Sequence, residues 1–430
     1  MTAAGSRVCI ILGGKQKKMR WFNRSLILAA GMFLLIAATT LGIRSYSQQQ
    51  QSAAERTERF KRMSADAEKK GLSGPYLGIT TDGKAINGLF PIRSTGVSTG
   101  PVRKAADAFL ASLSPVQRSK TMFDVNDDEW RKWMNQHFYL RQGTGFNEMS
   151  DAQRDAAFGL MRASLSARGL KLTRDIMHLN ETLAELNNND HEQYGEWLYW
   201  ITIMGKPSAT EPWGWQLDGH HAIINYFVLG DQVVMSPTFL GSEPVIARSG
   251  KYQGTAVLQT ELKKGLAMIN ALSDEQRKKA ILTLSKTANN NVGEAFKDNM
   301  VLDYQGIPGS ELNAKQKEQL LDLAAEYVGN MDNGHAKVKM SEVRKHVNAT
   351  WFSWIGGIQP DSVFYYRIQS PVILIEFDQQ LPVGTRHLKK GPIVPDPEHI
   401  HTVMRTPNGN DYGKDLLRQH YLEHPHPQSH

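Results

Sequence analysis

Helical and extended hydrophobic patterns are segregated along this chain, and no other feature of its sequence constrains the fold as much. A parallel α/β fold would need strand and helix signals in strict alternation, whereas here they come in blocks. Pro101 opens a segment with Ala105, Ala106, Phe109, Leu110 and Leu113 at helical spacing. Proline suits a first helical position because the N–H it lacks would have no partner there. Ser150 and Gln153 make a capping-box pattern before Ala157, Leu160, Met161 and Leu165, and Ile176, Leu179, Leu183 and Leu186 form another apolar stripe. Trp197–Met204, Ala222–Leu229 and Gln232–Met235 then read as strands, the last two joined by the hairpin dipeptide Gly230-Asp231. Helical spacing returns at Leu262, Leu266, Ile269 and Leu272 and near Leu320–Val328, with a capping pattern at Ser273 and Gln276. Phe352–Ile358, Val363–Ile368, Val372–Phe377 and Ile400–Met404 are again β, closed by a short helix from Lys414. The expected fold class is α+β: a helical N-terminal half packed on a largely antiparallel β-sheet, with a closing C-terminal helix. No internal repeat at solenoid or propeller period is visible.

Ser25–Ile43 carries no charge and is rich in Leu, Ile, Ala and Phe. A bilayer core is spanned by roughly 20 apolar residues in helical form, so this is a candidate transmembrane anchor. Arg7, Lys15, Lys17, Lys18, Arg20 and Arg24 precede it with no acid among them, and only Arg44 follows at once. The positive-inside bias keeps that flank in the cytoplasm and sends the remainder outward. A cleaved signal peptide is the rival reading, but no small-x-small site follows Ile43. The expected organisation is a cytoplasmic basic segment (1–24), an anchor (25–43), a polar stalk (44–71) and an extracytoplasmic domain (72–430), periplasmic or at the cell surface.

The seven basic residues up to Arg44 equal the formal net charge of +7 of the whole chain, so everything after Arg44 is formally neutral. A nucleic-acid partner would call for a basic patch with interleaved aromatics on the folded part, and none is evident. The single cysteine, Cys9, lies on the cytoplasmic side of the expected span. Beyond the span there is consequently no thiol nucleophile, thiolate metal site or haem-attachment motif. Any metal there is left to His, carboxylates, carbonyls or water.

Several motifs in order resemble the domain-of-unknown-function 3500 family. They are the run EPWGWQLDGHH from Glu211 to His221, Asn225, the loop Ser236–Gly241, Tyr365-Tyr366-Arg367, Ile375-Glu376-Phe377, His399-Ile400-His401, Asn410–Gly413 and His420. The resemblance extends over about Leu89 to His420. It implies that the Gly-His-His and His-x-His elements belong to a family pattern, but it brings no assigned activity. Ala222-Ile223-Ile224 is more aliphatic than that pattern, and the His-rich stretch from His424 to His430 departs from it.

Taken as residues alone, Gly219-His220-His221 and His399-Ile400-His401 each sit on a short apolar stretch that reads as a strand. Alternate strand residues point the same way at about 6.6 to 6.8 Å, so His399 and His401 can converge on one ion, with Val403 and Arg405 continuing their face. His220 and His221 would point to opposite faces, and Asn225 favours His221 as the ligand, offering a polar group two residues on. A bulge at Gly219 would admit both. Glu376 is the fourth candidate ligand, because a carboxylate on an apolar strand face needs a partner; an ion pair with Arg405 or Arg367 is the alternative. Asp411, Arg405 and His420 are candidates for acid–base or charge-stabilising work. The rival readings are a turn-shaping aspartate, a structural arginine and a solvated helix histidine.

A divalent metal, zinc or iron, held by His220 or His221, His399, His401 and Glu376 would give a metal-dependent enzyme, with hydrolysis favoured over oxidation. Its substrate, a small molecule or a polymer, is not specified by these residues. The alternative is a non-catalytic surface module, in which Trp197, Trp200, Trp213, Trp215, Trp351 and Trp354 line a groove for a glycan or small ligand. Gly96-Val97-Ser98-Thr99-Gly100 matches a nucleophile elbow, but the parallel βα setting that motif needs is absent. A helix cap before Pro101 explains the same residues.

Overall fold

The computed structural model describes residues 55–424. Ser25–Ile43 lies outside them, and among the described residues no helix is long and apolar enough to cross a membrane. Contacts divide the chain into Met1–Arg62 and Met63–His430. Residues 55–71, in the expected stalk, are helical (α1). The second unit carries the sheet and the candidate residues.

The local patterns fold as their chemistry requires. Pro101 lies in the first turn of α2 (Gly100–Ser112). Ser114, Ser150 and Ser273 each cap a helix through a complete capping box, opening α3 (Pro115–Thr121), α4 (Asp151–Ser164) and α7 (Asp274–Ala280). Such a cap satisfies end amides that otherwise lack a partner and stabilises by about 1 kcal/mol. The stripe from Ile176 to Leu186 lies on α5 (Ala167–Leu186). The elbow reading fails. Thr99 holds the N-cap position and donates its hydroxyl to Gly230 O, Ser98 Oγ accepts from Gly100 N–H, and Leu89–Arg93 is not a strand.

The helices are not confined to an N-terminal half. After α3 come β1 (Met122–Phe123), β2 (Thr144–Gly145), α4, α5, β3 (Tyr199–Met204), β4 (Trp213–Gly219), β5 (Ala222–Leu229), β6 (Gln232–Val234) and β7 (Thr238–Ser242). The second half repeats this order with α6 (Gln259–Asn270), α7, β8 (Ile281–Thr283), β9 (Ile307–Pro308), α8 (Ala314–Val328) and α9 (Asn333–Lys345). It continues with β10 (Trp351–Gly356), β11 (Phe364–Gln369), β12 (Leu374–Gln379) and β13 (Ile400–Arg405), and α10 (Lys414–Glu423) closes the chain.

The thirteen strands of the described residues join one mixed sheet of order β1-β3-β4-β5-β7-β13-β12-β11-β10-β8, with β2, β6 and β9 pairing off this path. Most neighbours are antiparallel, but β1 enters parallel to β3 and β8 parallel to β10. Those two short edge strands follow α3 and α7 directly, so each arrives by the same helix-to-strand route.

The two halves are copies of one unit. Gln117 Nε2 donates to Glu148 O and the Gln153 side chain, and Gln276 Nε2 donates likewise to Glu311 O and the Gln316 side chain. The returning bonds run from Gln153 to Ser112 O and from Gln316 to Ala271 O. Ile203 faces Trp215, which faces Tyr226; a shift of 151 residues gives Trp354, Tyr366 and Phe377, which face one another in the same sequence. Thr238 pairs with Met404 and Leu165 with Met331, each pair 166 residues apart, so an approximate two-fold axis passes between β7 and β13. The repeat is far longer than a solenoid or propeller period.

One sheet face is covered by helices. Phe109, Leu160 and Leu179 of the first copy and Met268, Leu320 and Leu323 of the second are buried with Ile201, Trp215, Trp354 and Tyr366 in a continuous core. The opposite face carries Ile223, Phe227, Phe239 and Val403, covered by Trp130, Trp133, Tyr412 and Leu416 from loops and α10. Trp213, Trp215 and Trp354 are wholly buried, which removes them from any ligand groove.

Candidate metal centre

His220 and His221 are not on a strand. Gly219 pairs with Ala222 at the end of the β4–β5 hairpin, and the two histidines are its turn. His221 has φ +65°, a left-handed conformation uncommon for a side chain without the local hydrogen bonding of Asn or Asp. The turn is held on both sides: Tyr199 Oη donates to His220 O at 2.8 Å, and Gly241 N–H donates to His221 O at 2.8 Å. Gly219 has no alternative residue type, since a Cβ there would lie 2.0 Å from the Tyr199 ring.

His401 is the second residue of β13 and His399 immediately precedes the strand, so both rings share the loop-covered face with Val403. Gly241 lies opposite His401, and a Cβ there would crowd its ring at 3.2 Å. Among the described residues, His221, His399 and His401 form a group whose candidate ligand atoms all lie within 4.8 Å of one another, and all three are buried. Nε2 of His401 is 3.1 Å from Nε2 of His221 and 2.9 Å from Nε2 of His399. A buried triad of this kind could hold a metal ion.

The outward ring nitrogens fix the tautomers. His399 Nδ1 is 2.7 Å from Leu381 O, an acceptor only, so it carries the proton. His401 Nδ1 is 2.8 Å from Glu294 Oε1, which accepts that proton when ionised. Both Nε2 atoms then present lone pairs inward. Burial and neighbouring histidines hold His221 and His401 well below the usual imidazole range, so these rings are neutral near pH 7.

His220 stands beside the triad rather than in it. Its ring stacks on His221 with centroids 3.9 Å apart, and its Nδ1 is 2.8 Å from Asn180 Oδ1. It lines, with Gln136, His137, Tyr194, Asn289 and Gln380, a polar cavity of about 70 Å³ that opens onto the triad. Asn225 does not support His221: its side chain accepts from Gln216 and donates to Pro237 O.

Glu376 is not placed as a ligand. Its carboxylate accepts from Tyr365 Oη at 2.7 Å, Val292 N–H at 2.9 Å and Gly293 N–H at 2.7 Å. Neither expected arginine pairs with it: Arg367 reaches Asp303 O and Gln305, and Arg405 reaches Asp298 and Asp411. The neighbouring Asp378 accepts from Asn290 N–H at 2.6 Å and Asn291 N–H at 3.1 Å and pairs with Lys286 at 2.8 Å. These two strand carboxylates therefore clamp the loop that carries Glu294. Sequence reasoning missed Glu294, because the run Asn289-Asn290-Asn291-Val292-Gly293-Glu294 signals a turn and nothing more.

Asp411, Arg405 and His420 are not brought to the triad. Arg405 Nε lies 2.9 Å from Asp411 Oδ2, and Asp298 bridges Arg405, Arg131 and the Tyr412 hydroxyl in a buried network. Burial pushes the Asp411 carboxyl up to about 6 against the opposing pull of Arg405. This network ties α10 and the loops to the sheet, which is the structural reading of both residues. His420, on α10, faces Glu211 at 3.4 Å.

No curated protein and no solved structure matches the chain. A family model described as "Protein of unknown function (DUF3500)" matches residues 95–414, spanning both copies of the repeat and all three triad histidines. The chain belongs to that family of unknown function.

Proposed function

We propose that this protein is a metal-dependent enzyme in which His221, His399 and His401 hold a divalent ion, with zinc favoured, and a water in the open fourth position is the hydrolytic nucleophile. One observation carries the reading: the Nε2 atoms of His399 and His401 face each other at 2.9 Å, and with Glu294 ionised both present lone pairs, an arrangement that a cation between them would stabilise. The donor set supports zinc over iron, because the nearby carboxylate, Glu294, sits on the outer nitrogen of His401 and not among the inward nitrogens. The ion would lower the pKa of its water towards about 7, and the polar cavity would admit the group to be cleaved. Ser25–Ile43 supports a membrane anchor with the catalytic unit outside, as the charge asymmetry around that segment favours.

Elemental analysis of the full-length chain purified in detergent tests the metal. The expected result is about one equivalent of tightly held zinc, lost in a H399A/H401A variant that remains folded. A folded wild-type chain that holds no metal and takes up none on addition of zinc would sink the proposal.

A further inference from the structure

We infer that the protein has a second ligand site, for a small organic carboxylate with an apolar body, at the place to which the approximate two-fold axis carries the metal centre. His401 lies opposite Asp378 and Val234 lies opposite Phe227, 151 residues before Asp378, so Val234 stands in the place of His401 and Gln232 in that of His399. The shift of 151 that relates Tyr226 to Phe377 relates His221 to Val372. The triad histidines are thus replaced by Gln232, Val234 and Val372, so the metal-ligand pattern is not repeated at this end. The space beside them persists as a cavity of about 270 Å³, larger than the one beside the triad, with Gln232 and Val234 in its wall and Lys339 donating to Val372 O at its edge.

Its lining combines an apolar wall with positive charge. Phe90, Val233 and Leu416 supply the wall, and Arg93, Lys339 and Lys345 supply the cations. The one acid, Glu342, lies 3.3 Å from Lys339 Nζ and balances that lysine. Arg93 and Lys345 are exposed and form no ion pair among the described residues, which leaves two positive groups at the mouth of a half-apolar cavity. Gln232 fastens the overlying strap, accepting from Arg93 N–H at 2.8 Å and donating to Pro91 O at 3.2 Å, so the cavity is a constructed space between the strap and α9. A guanidinium and an ammonium above an apolar floor recognise a carboxylate whose hydrocarbon body enters the floor. A bare inorganic anion would leave that floor wet. The inference is independent of the metal reading, because none of these residues touches the triad.

Isothermal titration calorimetry on the full-length chain in detergent provides the test, with phenylacetate as probe and inorganic phosphate as control. Phenylacetate is expected to bind at one site with Kd of roughly 1 mM or tighter. A R93Q/K345Q variant, altered only at exposed side chains, should weaken it by about tenfold or more, as loss of charge-assisted bonds predicts. Binding should be indifferent to EDTA, which separates this site from a carboxylate settling on the metal. The inference is overturned by absence of saturable phenylacetate binding, by unchanged affinity in the double variant, by loss of binding with EDTA, or by phosphate binding as tightly as phenylacetate.

Discussion

His399 Nε2 and His401 Nε2 lie 2.9 Å apart while each ring directs its Nδ1 outward, to Leu381 O and to Glu294. With Glu294 ionised, neither neutral ring has a proton left to place between them. The carboxylate therefore orients His401 and raises its basicity without touching an ion. Glu294→Gln should lower zinc affinity by roughly 10- to 100-fold at unchanged stoichiometry, measured by competition with a chromogenic chelator. Unaltered affinity would remove Glu294 from the centre.

Glu376 acts through the loop it holds. Glu376→Ala leaves the amides of Val292 and Gly293 and the Tyr365 hydroxyl without their acceptor, a cost of about 1 to 3 kcal/mol. Hydrogen exchange should accelerate at Val292 and Gly293, and zinc affinity should fall while one equivalent still binds. Loss of the binding site itself in a folded variant would restore Glu376 as a ligand.

Glu129 makes stability depend on pH. Burial, resisted by Lys132, raises its carboxyl from 4.5 to about 8. The unfolded chain releases this proton near 4.5 and the folded chain keeps it to about 8, so the native state is protonated across that window. Raising pH from 4.5 towards 8 then removes stability, and nothing more is lost from this group above the window. Glu129→Gln should raise stability at pH 8 by on the order of 2 kcal/mol, read as a higher Tm, and leave Tm unchanged at pH 4. Equal Tm changes at both values would refute the assignment.

The duplicated glutamine pairs offer an internal control. Gln117→Ala and Gln276→Ala each break a reciprocal amide pair and a capping box, at about 1 to 2 kcal/mol apiece. Denaturant unfolding should show additive losses for the Gln117/Gln276 double variant, whose sites lie in different copies. The Gln117/Gln153 double variant should cost less than the sum of its singles, since they share one pair of bonds. Strict additivity in the second case would count against the coupling.

Much of the local structure was legible because it depends on residues a few positions apart. The stripes on α2, α4 and α5, the capping boxes at Ser150 and Ser273, the Gly230-Asp231 turn and β10 to β13 are all periodicity or cap chemistry within a dozen residues. Two elements were misread for the same reason. The turn at His220 and His221 has no glycine at its left-handed position, and β7 reads as a loop in the sequence because Pro237 and Gly241 interrupt its apolar pattern. The repeat was hidden because its two copies share geometry more than residues. What must match is where a glutamine caps or a glycine clears a carbonyl, as Gly143 does at Ile201 O and Gly306 at Phe352 O.

The sequence by itself determined most of the longer helices and strands, that His399 and His401 share a strand face, and that thiols play no part beyond Cys9. Only the tertiary structure decided that His221 meets them from 180 residues away, that Glu294 and not Glu376 supports them, and that Asp411 and Arg405 belong to a buried clamp. The physical reason is that periodicity encodes which face of an element is apolar, whereas a metal centre is encoded by which faces meet. That meeting is set here by the antiparallel pairing of β7 with β13, where two copies of one unit join.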